Sequence, residues 1–324
     1  MRIIVIGAGN WGSTLGALFA AKNEVILWTL DEAETQALRP KHKELLSLGS
    51  DYRGKSIIIE PKYSRKILAD DLILIAIPSR RISSLVGELK ERGVKENIIL
   101  NVSKGVKHTT LSTMREIVLG TLPDVRFAVL SGPTIASEIK QGLPAKAVLA
   151  SNEVALLFQL QQVLTNDLLY FEFSRDVKGI ELCASLKGLI AIAVGIADGL
   201  GYSTNIFGLI MTFGLREFTT VLEFLGVQTK TVYGIAGMGD LITTCLSENS
   251  RNRRFGKLLA EGKTREEALK EVGMVVEGVS MAKTIRKLAQ FNLHIPLISL
   301  VAEIVFDETE DVRRKFLDTL FLIH

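Results

Sequence analysis

RIIVIGAGNWGSTLGALFAAKNEVILWTLD, residues 2–31, is the stretch on which the fold turns. Ile3–Ile6 is a short apolar run that reads as a strand, and Glu24–Thr29 reads as a second. Between them, Trp11–Lys22 carries apolar residues at helical spacing. GAGNWG joins the first strand to the helix and sets Gly7, Gly9 and Gly12 in the order G-x-G-x-x-G. Each glycine has a physical role there. The first permits the tight turn, the second lets backbone approach a pyrophosphate, and the third lets helix pack on strand. The helix start adds free N–H groups and a partial positive charge that suit phosphates. The spacing alone does not decide between nucleotide binding and a tight turn; its place between strand and helix points to a dinucleotide. Asp31 ends the stretch, where it either grips an adenosine ribose or caps the helix EAETQAL.

Outward from this stretch, short apolar runs alternate with helical patterns. Ser56–Glu60, Leu72–Ile77, Ile98–Val102 and Arg126–Leu130 read as further strands, with KAVLA and LLYFEF as candidates, and Arg81–Glu91 as another helix. Alternation of this kind predicts right-handed crossovers and a parallel sheet. From about Asp176 the pattern changes to long apolar segments at helical spacing: Ile180–Asp198, Asn205–Leu225, Thr264–Val272 and Ser280–Gln290. The expected organisation is an α/β dinucleotide-binding domain over residues 1–176 and an all-helical substrate domain over 177–324.

Composition narrows the function classes. A chain of 324 residues is long for one small core. With 47% hydrophobic and 23% charged residues it has the makeup of a globular protein. A net charge of +3 gives no field fit to draw in nucleic acid. Cys183 and Cys245 make neither a metal pattern nor a disulfide framework, and His42, His108, His294 and His324 are scattered. A reduced, metal-free, cytoplasmic protein is the expectation. No signal peptide is expected, because the first strand begins at Arg2. The most apolar segment, near residues 182–200, is interrupted by Lys187 and Asp198, so a buried helix is expected rather than a membrane span.

Several polar residues stand out. Lys104, in NVSKGV, follows an apolar strand, where ligands bind in open α/β sheets; a solvated loop lysine is the alternative. Lys187 has Cys183, Ala184, Ile190 and Ala191 at helical spacing. Burial would lower its pKa and fit it for proton transfer, whereas snorkelling would leave it an ordinary cation. Asp240 follows Gly237 and Gly239 and either holds an ammonium or a substrate hydroxyl, or caps a helix. GIAGMGDLITT, from Gly234, lacks the third glycine of a dinucleotide loop. SENSRNRRFG supplies Ser250, Arg251 and Asn252, groups suited to phosphate; a surface helix start is the alternative.

Taken together, GAGNWG, VSKGV, LSGPTIASEI, ASLKGLIAIAVGIADGLG, AGMGDLITTC, SRNRRFG and VVEGV resemble the NAD(P)-dependent glycerol-3-phosphate dehydrogenases in order and spacing over nearly the whole chain. The resemblance implies a Rossmann domain, a helical substrate domain and a cleft between them. It implies reversible oxidation of sn-glycerol 3-phosphate to dihydroxyacetone phosphate with NAD or NADP, the reductive direction feeding phospholipid synthesis. By motif, Lys187 is the proton acceptor, with Lys104 and Asp240 beside the substrate. Gly132, Thr134 and Thr244 line the pocket, and Ser250, Arg251 and Asn252 hold the substrate phosphate. The cofactor falls to Gly7, Gly9, Asn10, Trp11, Gly12, Lys104, Ala136, Arg251, Val275 and Glu277. Two lysines close together would lower each other's pKa. No metal and no histidine is required.

The chain departs from the family at three positions. Gly188 stands where the family usually has asparagine, and Phe213 where it usually has arginine. Leu30 replaces an arginine or histidine expected to meet a 2′-phosphate, with Arg39 or Lys41 as substitutes. Two other readings stay open. One is a related two-domain hydroxy-acid dehydrogenase; the other is a non-catalytic dinucleotide-binding sensor or structural homologue. A small phosphorylated molecule is the expected partner. Fold-level analogy adds a homodimer as one arrangement.

Overall fold

Ile3–Ile6 is wholly buried and forms β1 (Arg2–Ile6), an interior strand of an eight-stranded sheet. The computed structural model of the protein describes residues 1–48, 52–53, 56–107, 112–288, 291–306 and 311–322. It divides into two units, Met1–Ser103 with Thr113–Val177, and Lys104–Ser112 with Lys178–His324.

In the first unit, β2 (Glu24–Thr29) pairs with β1, and a separate small hairpin is made by β3 (Ser47–Leu48) and β4 (Tyr52–Arg53). The main sheet continues with β5 (Ile57–Pro61), β6 (Leu72–Ile75), β7 (Ile98–Asn101), β8 (Arg126–Ser131), β9 (Ala145–Ala150) and β10 (Leu169–Ser174). Its strand order is β10-β9-β8-β7-β6-β1-β2-β5. β6 and β7 are buried at every residue, the run expected of strands covered on both faces. The order turns outward from β1 in both directions, so a crevice opens at the carboxyl ends of β1 and β6, the place where open α/β sheets take ligands.

One pairing differs from the parallel sheet expected: β9 runs antiparallel to β8. The reason is length. Only the five-residue helix Ala136–Lys140 lies between them. That is about 7.5 Å of helix, against about 20 Å for a six-residue strand. The connection, residues 132–144, thus lacks a helix long enough to cover the sheet on the return that a parallel neighbour usually makes. β10 returns to parallel pairing with β9 after the longer helix Val154–Leu164.

The second unit is helical. Val177–Gly199 is its axis, buried at every residue from 179 to 197. A helix apolar all round belongs in a core. By length and composition it also suits a membrane, but its apolar window is entirely buried in the protein. Thr204–Phe224, Asp240–Leu246, Arg251–Ala260, Arg265–Val272, Glu277–Leu288, Pro296–Phe306 and Val312–Leu322 surround it. The sequence-based helix bounds fall within a few residues of these. Thr264 proves to be a cap rather than a helical residue, and Gln290 lies outside the described residues, as do His108 and His324.

Glycine sets how close the helices come. A Cβ on Gly195 would lie 1.9 Å from the Arg253 carbonyl oxygen, and one on Gly256 would lie 2.1 Å from that of Ile192. The backbones of Val177–Gly199 and Arg251–Ala260 thus touch, which brings SRNRRFG beside the helix that carries Lys187. A buried carboxylate fixes another junction. Glu217 accepts hydrogen bonds from the backbone N–H groups of Leu297 and Ile298, both at 2.8 Å, at the start of Pro296–Phe306. Burial raises the Glu217 pKa to about 7 against the opposing pull of those donors. Leaving both N–H groups unpaired would cost about 1–3 kcal/mol each.

Candidate active site

The first unit holds the glycine loop. Gly7 has φ of 113°, and a Cβ there would lie 2.4 Å from the Ala76 carbonyl oxygen. Gly12 packs its helix on the turn so tightly that a Cβ would lie 2.1 Å from the Gly7 carbonyl oxygen. Gly9 is the opposite case: nothing lies within 4 Å of its Cβ position. Its backbone is extended and open to any residue, with φ −65° and ψ 176°. Space rather than conformation distinguishes Gly9, and that space lies at the start of the helix Asn10–Phe19. Free N–H groups and an unfilled cradle suit a diphosphate. The residues present therefore fit a dinucleotide.

Around the loop, Trp11 packs on the sheet core. Ala136 opens the short helix Ala136–Lys140, while Thr134 donates to the Gly132 carbonyl at 3.2 Å. Asp31 caps the helix that follows: its carboxylate accepts from the Glu34 N–H at 2.9 Å. Leu30 is exposed, and its N–H donates to the Glu34 carboxylate at 2.6 Å. Arg39 donates to the Ile59 carbonyl at 3.3 Å and lies 3.7 Å from Glu32. Lys140 donates to Asn10 Oδ1 at 2.7 Å. Sequence reading missed Lys140, although it immediately follows the LSGPTIASEI motif.

The second unit holds the ionisable cluster. Lys187 is 7% exposed and Asp240 2%, which rules out snorkelling. Lys187 Nζ lies 2.5 Å from Asp240 Oδ1, and Lys104 Nζ lies 2.9 Å from Oδ2. One carboxylate thus bridges two ammonium groups. Burial lowers the Lys187 pKa to about 7; Asp240 opposes this and Lys104 adds to it. Burial alone would raise the Asp240 pKa, but Lys104 and Lys187 outweigh it and hold the carboxyl below its ordinary value.

The local fold explains how Asp240 is placed. AGMG forms a π-helical turn, Ile235–Gly239, and not a second dinucleotide loop. A Cβ on Gly237 would lie 2.1 Å from the Val232 carbonyl oxygen. Single π turns of this kind recur at functional sites. Thr244 donates to the Asp240 carbonyl at 2.6 Å, one turn on.

Ser250 caps the helix Arg251–Ala260 by accepting from the Arg253 N–H at 3.3 Å, so part of the surface-helix alternative holds as well. Arg251 donates to the Val275 carbonyl at 2.8 Å, and Asn252 Oδ1 accepts from the Gly278 N–H at 3.0 Å. Glu277 opens the helix Glu277–Leu288. Arg251, Asn252, Val275 and Glu277 therefore meet in one place. Asn252 Nδ2 lies 3.3 Å from the Cβ position of Gly188, next to Lys187. Among the described residues no cluster of His, Cys, Asp and Glu could hold a metal ion.

A glycine loop on a doubly wound sheet, with a paired-lysine carboxylate in a helical unit, defines a dinucleotide-dependent oxidoreductase. The chain belongs to the NAD-dependent glycerol-3-phosphate dehydrogenase family. Residues 2–157 match the family's amino-terminal model and residues 176–313 its carboxy-terminal model. The chain is 36% identical over 312 residues to a glycerol-3-phosphate dehydrogenase (NAD(P)+) of Fusobacterium nucleatum, spanning 95% of this chain and 93% of the relative. It is also 36% identical, over 309 residues, to one of Thermoanaerobacter sp., again spanning 95% and 93%. The crystal structure of a Coxiella burnetii glycerol-3-phosphate dehydrogenase superposes with a TM-score of 0.89 at 30% identity, covering 99% of this chain and 98% of that one.

The glycine geometry separates two variants. Gly9→Val is expected to weaken NADH binding by at least about tenfold with little change in Tm, because it fills only the phosphate cradle. Gly12→Ala is expected to lower stability by about 1–3 kcal/mol through overpacking. NADH titration and thermal melts check both; equal melting of the two variants would contradict the contrast.

Proposed function

We propose that the chain catalyses the reversible interconversion of dihydroxyacetone phosphate and sn-glycerol 3-phosphate with a nicotinamide dinucleotide. The bridged cluster of Lys187, Asp240 and Lys104 carries this reading. A binding protein has little use for a buried lysine whose proton is labile near neutral pH.

Gly7, Gly9, Asn10, Trp11, Gly12, Lys104, Ala136, Arg251, Val275 and Glu277 would hold the dinucleotide. When bound, its nicotinamide supplies or accepts the hydride at substrate C2. The chain's own residues handle the proton. In oxidation, neutral Lys187 Nζ takes the proton of the C2 hydroxyl. In reduction, its ammonium hydrogen-bonds the C2 carbonyl oxygen and then protonates it. Asp240 aims the lysine and keeps its pKa from falling further, while Lys104 favours the neutral amine and offers a second donor to the substrate.

Arg251 and Asn252 would bind the phosphate with Ser250, and Gly132, Thr134 and Thr244 complete the substrate contacts. Arg251 uses one N–H on Val275, and the remainder of its fork suits a phosphate dianion. That favours a phosphorylated substrate over a simple hydroxy acid.

Exposed Leu30 beside the Glu34 carboxylate offers no cation to a 2′-phosphate, and Arg39 is engaged by Glu32 and Ile59. NADH is the proposed donor over NADPH, with exposed Lys41 a remaining cation that a 2′-phosphate could meet. Supply of glycerol 3-phosphate to phospholipid synthesis, a cytoplasmic location and a homodimeric state are further parts of the proposal. They rest on the family.

Lys187→Met is expected to reduce turnover by at least about a thousandfold while NADH still binds. Arg251→Ala is expected to raise the KM for dihydroxyacetone phosphate by about 10–100-fold, the loss of a charge-assisted contact. A turnover loss of less than about a hundredfold in the first variant, or an unchanged KM in the second, would contradict the assigned roles. Initial rates with NADH and NADPH in parallel test the cofactor preference; a faster rate with NADPH would contradict it.

A further inference from the structure

Lys140 has no part in the roles described so far. It ends the helix Ala136–Lys140, and its ammonium donates to Asn10 Oδ1 at 2.7 Å. Asn10 is the first residue of the helix Asn10–Phe19, directly after Gly9 and its open cradle. Both residues belong to the first unit.

The electrostatics of this contact are unbalanced. The start of Asn10–Phe19 has no acidic residue in its first turn, so its partial positive charge is uncompensated. Lys140 adds a full positive charge beside it. Among the described residues Lys140 makes no ion pair, and its acceptor is a neutral amide. Partial burial lowers its pKa from the ordinary lysine value, and only the more distant charge of Glu44 opposes this. A partly desolvated cation next to a helix start is less favourable alone than once an anion joins them.

We infer that Lys140 is an additional cofactor ligand, an ammonium held by Asn10 at the mouth of the glycine loop to neutralise the dinucleotide's diphosphate. The inference rests on the dinucleotide-binding reading of that loop. It also gives the Asn10 side chain a specific role, because its oxygen orients the lysine. The diphosphate is the relevant anion rather than a 2′-phosphate, because Lys140 meets the helix start and not the end of β2.

The test is equilibrium titration of wild type, Lys140→Gln and Lys140→Arg with NADH, NADPH, ADP and adenosine, at low and high salt, alongside thermal melts. Lys140→Gln is expected to weaken NADH, NADPH and ADP alike by about tenfold, the loss of one charge-assisted contact. Adenosine, which lacks phosphate, should change by less than about twofold, and the KM for dihydroxyacetone phosphate should hold. The salt dependence should become shallower, and Lys140→Arg should retain most of the affinity. The adenosine comparison within each variant guards against a loss of folded protein. Unchanged ADP affinity in Lys140→Gln overturns the inference. So does an equal loss for adenosine and ADP, a loss confined to NADPH, or an arginine variant as weak as the glutamine. Wild type that binds neither NADH nor ADP overturns the loop reading itself.

Discussion

Lys187 and Asp240 carry opposite charges in a place nearly closed to water, 2.5 Å apart. A charge on Lys187 depends on Asp240, whose carboxylate is balanced by Lys104 as well. The pair therefore ties the axial helix Val177–Gly199 to the π turn before Asp240. Packing of the second unit conforms to it. Gly237 lets the turn fold against Val232, and the Gly195 and Gly256 contacts bring Arg251–Ala260 onto the axis. The same burial that demands pairing also loosens the lysine's proton, so the stability constraint and the chemistry have one source.

The departures from the family read differently once packing is known. A Cβ on Gly188 would lie 3.0 Å from Gly278 Cα and 3.1 Å from its nitrogen. A larger side chain at 188 would push against backbone, and Asn252 already places an amide beside that position. Phe213 is partly buried against the helical core, with the Arg216 guanidinium 5.9 Å from its ring centre. An apolar ring suits those surroundings. Neither change disturbs the bridged cluster around Asp240.

Much of this was legible in the sequence, for physical reasons. Strand and helix periods are local, so the sheet strands and the long helices follow from pattern alone. The glycine loop is local too, since Gly7, Gly9 and Gly12 act within one turn. What sequence left open depended on partners far along the chain. Whether Lys187 was buried or snorkelling could not be settled without Asp240 and Lys104 in space. Asp31 suited a ribose or a cap, and the cap's partner is a backbone N–H three residues on. The antiparallel β9 depended on a helix too short to cross the sheet. Lys140 stands next to the LSGPTIASEI motif, but its partner lies 130 residues away, so adjacency alone did not reveal its role.

The pH dependence of kcat/KM, measured in both directions for wild type and Asp240→Asn, tests the role of Lys187 most directly. Oxidation needs the neutral amine, so its rate should rise as pH increases through about 7, where burial has brought the lysine. Reduction needs the ammonium, so its rate should fall through the same range. Removing the Asp240 charge takes away the main influence holding that pKa up, so both limbs should move to lower pH. A flat profile across this range, or limbs that stay in place in Asp240→Asn, would show that another group moves the proton.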